Sequence, residues 1–189
     1  MDTKNAIKTR RSIRKFLPVE LDKKDLLELV EYGKLYTSAM NVQPVRFAIV
    51  SEKAGRDKVF EALRWAGYIK GYTIEENERP MAYVLILEPE NKSIFYEFEA
   101  GAAATNVMLL AEEKGIQSCC LMLAEPEIVN AAFDFKGYKA MYAIALGKAA
   151  IESKSVSWAG NQAYYMEENG NFCVPKRNTE EVLVYSDIK

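Results

Sequence analysis

The sequence predicts a single α+β domain spanning residues 1–189, and three observations point to it. The chain has 189 residues, of which 49% are apolar and 28% charged, enough to bury one core without disulfide or metal staples. Helical patterns and apolar strand-like runs follow one another only loosely, without the strict alternation that builds a parallel sheet. No internal repeat or low-complexity block divides the chain.

The elements follow in order. Asp2 or Thr3 caps a short first helix carrying Ala6 and Ile7, and Arg10 to Phe16 continues as a basic segment leading to Pro18. Asp22 caps a stronger helix. Leu26, Leu27, Leu29, Val30 and Leu35 recur there at helical spacing, turning one apolar face to a core until about Tyr36. Thr37 to Pro44 is dense in side chains that hydrogen-bond locally and is closed by proline, so it forms a loop feeding a strand from Arg46 to Val50. Ala54 to Ala66 is helical through Val59, Phe60 and Leu63, whereas Tyr68 to Pro80 has mixed polarity and suits a loop or a short helical excursion.

Met81 to Leu87 is a continuous apolar run, as expected for a strand covered on both faces. Ile94 to Lys114 is the longest helix. Its centre, Ala100-Gly101-Ala102-Ala103-Ala104, has side chains so small that another element must pack close to its backbone. Gly115 ends it, Gln117 to Leu123 is a buried strand, and Pro126 starts a short helix through Phe133. Tyr138 to Leu146 is a further strand closed by Gly147-Lys148. Residues 149–189 form a C-terminal arm, in which Asn169-Gly170 joins two short strands and Thr179-Glu180-Glu181 precedes Val182-Leu183-Val184.

Composition narrows the chemistry. There is no histidine, which removes Ser-His-Asp and Cys-His catalysis, most zinc chemistry and the commonest general base near neutral pH. No metal site is expected, because Cys119, Cys120 and Cys173 have neither zinc spacing nor the even count of a disulfide framework. Both adjacent cysteines are read as small apolar strand residues. Net charge is −2 with the signs interspersed, so nucleic acid is not an expected partner. Met1 to Lys8 lacks an apolar leader and no run is long enough for a membrane span, so no membrane partner is expected and the reading is a cytoplasmic protein.

The motif with most chemical promise is Arg10-Arg11-Ser12-Ile13-Arg14, three cations and a hydroxyl suited to a phosphate dianion through charge-assisted hydrogen bonds. By itself it reads more readily as a solvated basic turn. Lys176-Arg177 is a second basic pair of the same ambiguity. The segment Arg10 to Phe16 resembles the opening signature of the nitroreductase family. Ser38-Ala39-Met40-Asn41-Val42-Gln43-Pro44 with Arg46-Phe47 is similar to a second family segment, and the small-residue helix from Ala100 to Asn106 to a third. Ala145 to Lys148 and Pro175 to Val182 resemble its closing stretches, so the likeness runs through nearly the whole chain.

That resemblance implies a nitroreductase-like fold, with a mostly antiparallel central sheet flanked by helices, in a homodimer whose C-terminal arm packs on the partner subunit. It implies FMN as the cofactor. Arg10, Arg11, Ser12, Lys176 and Arg177 would bind its phosphate, and Arg14 would lie at the pyrimidine end of the ring, where a fixed guanidinium stabilises the negative charge of reduced flavin. Ser38, Ala39, Asn41 and Gln43 would reach the ring edge and ribityl chain from the opposite subunit. The backbone of Leu121 and Met122 would face flavin N5. Relatives often have a glycine-containing stretch there, so Leu121-Met122-Leu123 is a departure that narrows the expected pocket.

The function so implied is hydride transfer from NAD(P)H through flavin to a small electron-poor acceptor, a nitroaromatic or a quinone. No protein nucleophile is required, and no GxGxxG or Walker pattern provides a separate nucleotide site. Within the fold, a flavin destructase or a reductive dehalogenase would keep the phosphate site and change the pocket, and a flavin-binding sensor or store without turnover is a further alternative. A structural protein whose basic clusters are ordinary surface is the reading outside it.

Overall fold

The computed structural model describes residues 1–188. Five strands form the main sheet: β1 (Phe16–Leu17), β2 (Arg46–Val50), β3 (Ala82–Pro89), β4 (Gln117–Met122) and β5 (Tyr138–Ala149). β5 pairs with β1 and β4 along one side and with β3 along the other, and β2 closes the far edge. Every pairing in this sheet is antiparallel, as expected. The helices are α1 (Thr3–Thr9), α2 (Lys23–Gly33), α3 (Lys53–Glu61), α4 (Tyr96–Glu113), α5 (Pro126–Ala132) and α6 (Thr179–Val182).

Strand alternation divides the core into two. Val84 and Ile86 of β3, with Ile144 and Leu146 of β5, face α2 and α4, where Leu26, Leu29, Ala103 and Val107 meet them. Tyr83, Leu85 and Leu87, with Ala143 and Ala145, face the other way toward Val59 of α3 and Val129 of α5. The run from Met81 to Leu87 is therefore covered on both faces. Each fully buried Val, Leu or Ile here contributes about 1.5–3 kcal/mol.

Asp22 caps α2 as expected, accepting a hydrogen bond from the Lys24 N–H at 2.8 Å. The helix stops at Gly33 rather than near Tyr36, and the expected single apolar face splits. Leu26 and Leu29 are buried, whereas Leu27 and Leu35 are 65% and 66% exposed. The reason is close packing: a Cβ on Gly33 would lie 2.5 Å from Val107 Cγ2, so glycine sets how near α2 approaches α4. The small-residue stripe behaves in two ways. Ala100, Ala103 and Ala104 are buried, but Gly101 has nothing within 4 Å of where a Cβ would stand.

Other boundaries moved. α3 ends at Glu61, not Ala66. β5 continues through Gly147 to Ala149, because the Phe16 ring lies against Gly147, 2.7 Å from a Cβ built there. The Tyr68 to Pro80 segment contains one 3-10 turn, Glu76–Glu78, closed by reciprocal capping between Glu75 and Glu78. Residues 153–176 form a second sheet on their own chain: β6 (Ser153–Ser157), β7 (Tyr165–Met166) and β8 (Phe172–Lys176), in the order β6-β8-β7. The expected hairpin at Asn169-Gly170 joins β7 to β8. Beyond it Val184, Tyr185 and Ile188 are almost fully exposed. Among the described residues no helix is long and apolar enough to cross a membrane.

Candidate functional site

The Arg10 to Ile13 segment runs along the outer edge of β4. Ser12 bridges Ser118 in parallel register, and the Ile13 N–H donates to the Ser118 carbonyl at 3.0 Å. Arg10 is the C-cap of α1, its N–H donating to the Ala6 carbonyl. Arg11 reaches back, with one Nη donating to the Lys8 carbonyl at 2.8 Å and to Ser155 Oγ at 3.1 Å. Burial and then the neighbouring positive charge of Arg10 lower the Arg11 pKa, with Glu112 opposing.

The Arg11 contact docks the second sheet here. Ser155 pairs in register with Val174 on β8, two residues before Lys176, or about 7 Å along the strand. The second basic cluster thus lies on the same side of the molecule as the first. The Arg177 guanidinium sits 4.0 Å over the Trp158 ring. Arg14 is enclosed by the same sheet, its guanidinium 4.5 Å over Tyr164 and 4.9 Å over Phe172, with Nη1 donating to the Ser12 carbonyl at 3.2 Å. Tyr72 packs edge-on against Phe172 and completes this aromatic box. Phe172 gave no signal in the sequence, since no motif marks a cation's aromatic neighbours.

On β4, side chains alternate. Cys119, Leu121 and Leu123 pack into the core that faces α3 and α5, while Met122 is 64% exposed. Of the expected pocket-narrowing trio, only Met122 projects outward. Cys120 is exposed, contrary to the reading of both cysteines as buried, because strand alternation sends it to the face opposite Cys119. Burial pushes the Cys119 thiol up, opposed by Arg14, so it stays protonated near neutral pH.

The Ser38, Ala39, Asn41 and Gln43 loop is a 3-10 turn (Ala39–Asn41) projecting from the end of α2. Met40, Asn41 and Gln43 have φ of 53, 57 and 51°, the left-handed region that costs non-glycine residues energy. The Gln43 N–H donates to Ser38 Oγ at 2.9 Å, and the Ala39 N–H donates to Glu99 Oε1 at 2.7 Å. Glu99 is 1% exposed and gave no signal in the sequence. The tip is bare, with Met40 97% exposed.

One chain does not bring the two halves together. The loop leads into β2 at one edge of the sheet, and the arginine segment flanks β4 at the other, with β5 and β3 between. Counting β4 itself, four inter-strand steps separate them by about 19 Å. The β4 side gathers several cations that have no carboxylate partner. Among the described residues Arg10, Arg11, Arg14, Lys176 and Arg177 form no salt bridge, whereas Lys15 pairs with Glu78, Lys114 with Asp25 and Glu28, and Lys154 with Glu167. Four of the five form two adjacent pairs, Arg10-Arg11 and Lys176-Arg177, a grouping suited to an anionic ligand. No cluster of His, Cys, Asp and Glu able to hold a metal occurs among the described residues.

Residues 7–76 match the model of the nitroreductase family, a stretch that holds both the arginine segment and the loop. Over that stretch the chain is similar to the nitroreductase family. It is 25% identical over 118 residues to a Methanothermobacter thermautotrophicus protein provisionally described as an NADH dehydrogenase/NAD(P)H nitroreductase, covering 61% of this chain and 58% of that one. The nitroreductase fold extends over the whole chain. A Desulfovibrio desulfuricans structure solved in complex with FMN superposes with a TM-score of 0.72 at 20% identity, covering 100% of this chain and 99% of that chain. An FMN-dependent nitroreductase from Mycobacterium smegmatis, in complex with NADPH, gives 0.63 at 22% identity over 78% of this chain and 87% of its own.

Proposed function

We propose that this chain is a member of the nitroreductase family and an FMN-dependent oxidoreductase that takes hydride from NAD(P)H and delivers it to a small electron-poor acceptor such as a nitroaromatic or a quinone. The observation that carries the reading is the set of unpaired cations flanking β4, in a chain with no histidine to support another chemistry. The residues present fit the cofactor. Arg10, Arg11, Ser12, Lys176 and Arg177 offer charge-assisted donors for a phosphate, and the β4 rim at Leu121 and Met122 offers an open edge for the ring. Bound FMN would supply the two-electron carrier that the side chains lack.

The protein's part is position and charge. Arg14, held between Tyr164 and Phe172, places a fixed cation beside the β4 rim, where it favours the ring's reduced, negatively charged form. The Ser38 to Gln43 loop lies too far away to serve the same site in one chain, so a second copy would supply it. A C2 homodimer satisfies this geometry. The exposed Gly101, Phe98 and Leu35 line a groove of about 610 Å³ that a partner subunit would cover, and the bare C-terminal tail would reach across it.

The deciding measurement is an absorption spectrum of the purified protein with FMN, repeated anaerobically after adding NADH or NADPH. Flavin bands that bleach support the oxidoreductase. Bands that persist with both donors would leave a flavin-binding protein without turnover, and failure to take up FMN at all would defeat the proposal.

A further inference from the structure

Glu99 is the only carboxylate among the described buried residues. It sits on the core-facing side of α4, and its single hydrogen bond goes to the backbone N–H of Ala39 at 2.7 Å, leaving Oε2 buried without a partner. No salt bridge among the described residues includes it. A carboxyl group so placed is costly to bury and gives the core little in return. What it does hold is the base of the Ser38 to Gln43 loop.

That loop needs holding. Three of its non-glycine residues have left-handed backbone, and Met40, Asn41, Val42 and Gln43 are exposed. Nothing in the core anchors its tip. Its two ends are fixed from below instead: Glu99 accepts from Ala39, and the Tyr36 hydroxyl, also buried, accepts from the Val45 N–H at 3.0 Å. Between these points the Ser38 hydroxyl accepts from the Gln43 N–H and closes the loop on itself.

We infer that Glu99 is a positioning residue for the cofactor: it preorganises the Ser38 to Gln43 loop so that one chain presents a rigid half-site to FMN bound mainly by the other. The inference rests on the functional reading above for the identity of the ligand. Its physical content is population. If the loop adopts the competent shape only part of the time, apparent affinity falls by that fraction, so losing the clamp weakens FMN binding with no FMN contact removed. Burying the carboxyl contributes little to the fold, so an apolar replacement of similar length separates the two effects.

The test compares wild type, Glu99→Met and Glu99→Gln in the full-length protein. Glutamine retains an oxygen that can accept from Ala39; methionine fills the volume without one. In cofactor-free protein, the Ala39 amide of the Met variant should exchange with deuterium at least about tenfold faster than in wild type, while thermal unfolding stays cooperative. FMN affinity, measured by quenching of flavin fluorescence, should fall at least about tenfold, the scale of a lost hydrogen bond to a carboxyl group. The Gln variant should restore both. Unchanged Ala39 exchange in the Met variant would overturn the clamp. Faster exchange with wild-type FMN affinity would overturn its role toward the cofactor. Wild-type protein that takes up no FMN would defeat the functional reading and with it the cofactor role, while the exchange comparison, made without flavin, still reports on the clamp.

Discussion

Arg10 and Arg11 are neighbours with different commitments. Arg11 bonds to Lys8 and Ser155 within its own chain, so it ties α1 to the second sheet as well as offering charge. The Arg10 side chain makes no hydrogen bond or ion pair among the described residues, so its charge is uncommitted. Arg10→Ala should therefore weaken FMN binding by about 1.5–3 kcal/mol with unfolding unchanged, the usual scale for a hydrogen bond to a charged group. Equilibrium titration with FMN and a thermal melt check this, and retained affinity would remove Arg10 from the phosphate site. Arg11→Ala should lower affinity and also cost about 0.5–2 kcal/mol of stability, seen in a urea melt and as faster proteolysis between residues 150 and 177. The type of these residues was legible in the sequence. Their division of labour was not, since Ser155 lies 144 residues away from Arg11.

At the scale of elements, the packing of α2 on α4 depends on one glycine. Gly33→Ala would place a methyl group 2.5 Å from Val107 Cγ2, a β-branched and fully buried side chain that cannot swing aside. Overpacking of this kind costs about 1–3 kcal/mol, more than the ~1 kcal/mol that alanine gains over glycine inside a helix. The variant should melt at lower temperature with unchanged helix content, and a rise in Tm would contradict the argument. Asp22→Ala should cost about 1 kcal/mol through loss of the α2 cap, measured in the same way. The cap was readable from local sequence because a capping side chain bonds two residues away. The end of the helix was not, because contact with α4 and the following loop decides it.

For the whole molecule, Gly101 separates the fold of one chain from its assembly. Nothing within 4 Å would meet a Cβ there, so Gly101→Leu should fold as well as wild type. If a second copy covers this face, the same variant should lose the dimeric mass measured by light scattering and retain FMN poorly. Wild-type protein that is monomeric with flavin bound would overturn the two-chain site. The sheet topology motivates this prediction: it sets the arginine segment and the Ser38 to Gln43 loop on opposite edges, about 19 Å apart, and no folding of one chain as observed closes that gap.

The sequence by itself determined the α+β class, the two-sided burial of Met81 to Leu87, the Asp22 cap and the residue types of the candidate site. These depend on periodicity, capping and turn chemistry that act within a few residues. Tertiary structure alone decided that Cys120 faces out while Cys119 faces in, that Tyr164 and Phe172 enclose Arg14, that residues 153–176 fold as a sheet against Arg11, and that Glu99 is buried beneath Ala39. Each is a contact between segments distant in sequence, or a choice between two faces of one strand. Local pattern carries no term for either, because the energy that settles them comes from packing and charge on elements elsewhere in the chain.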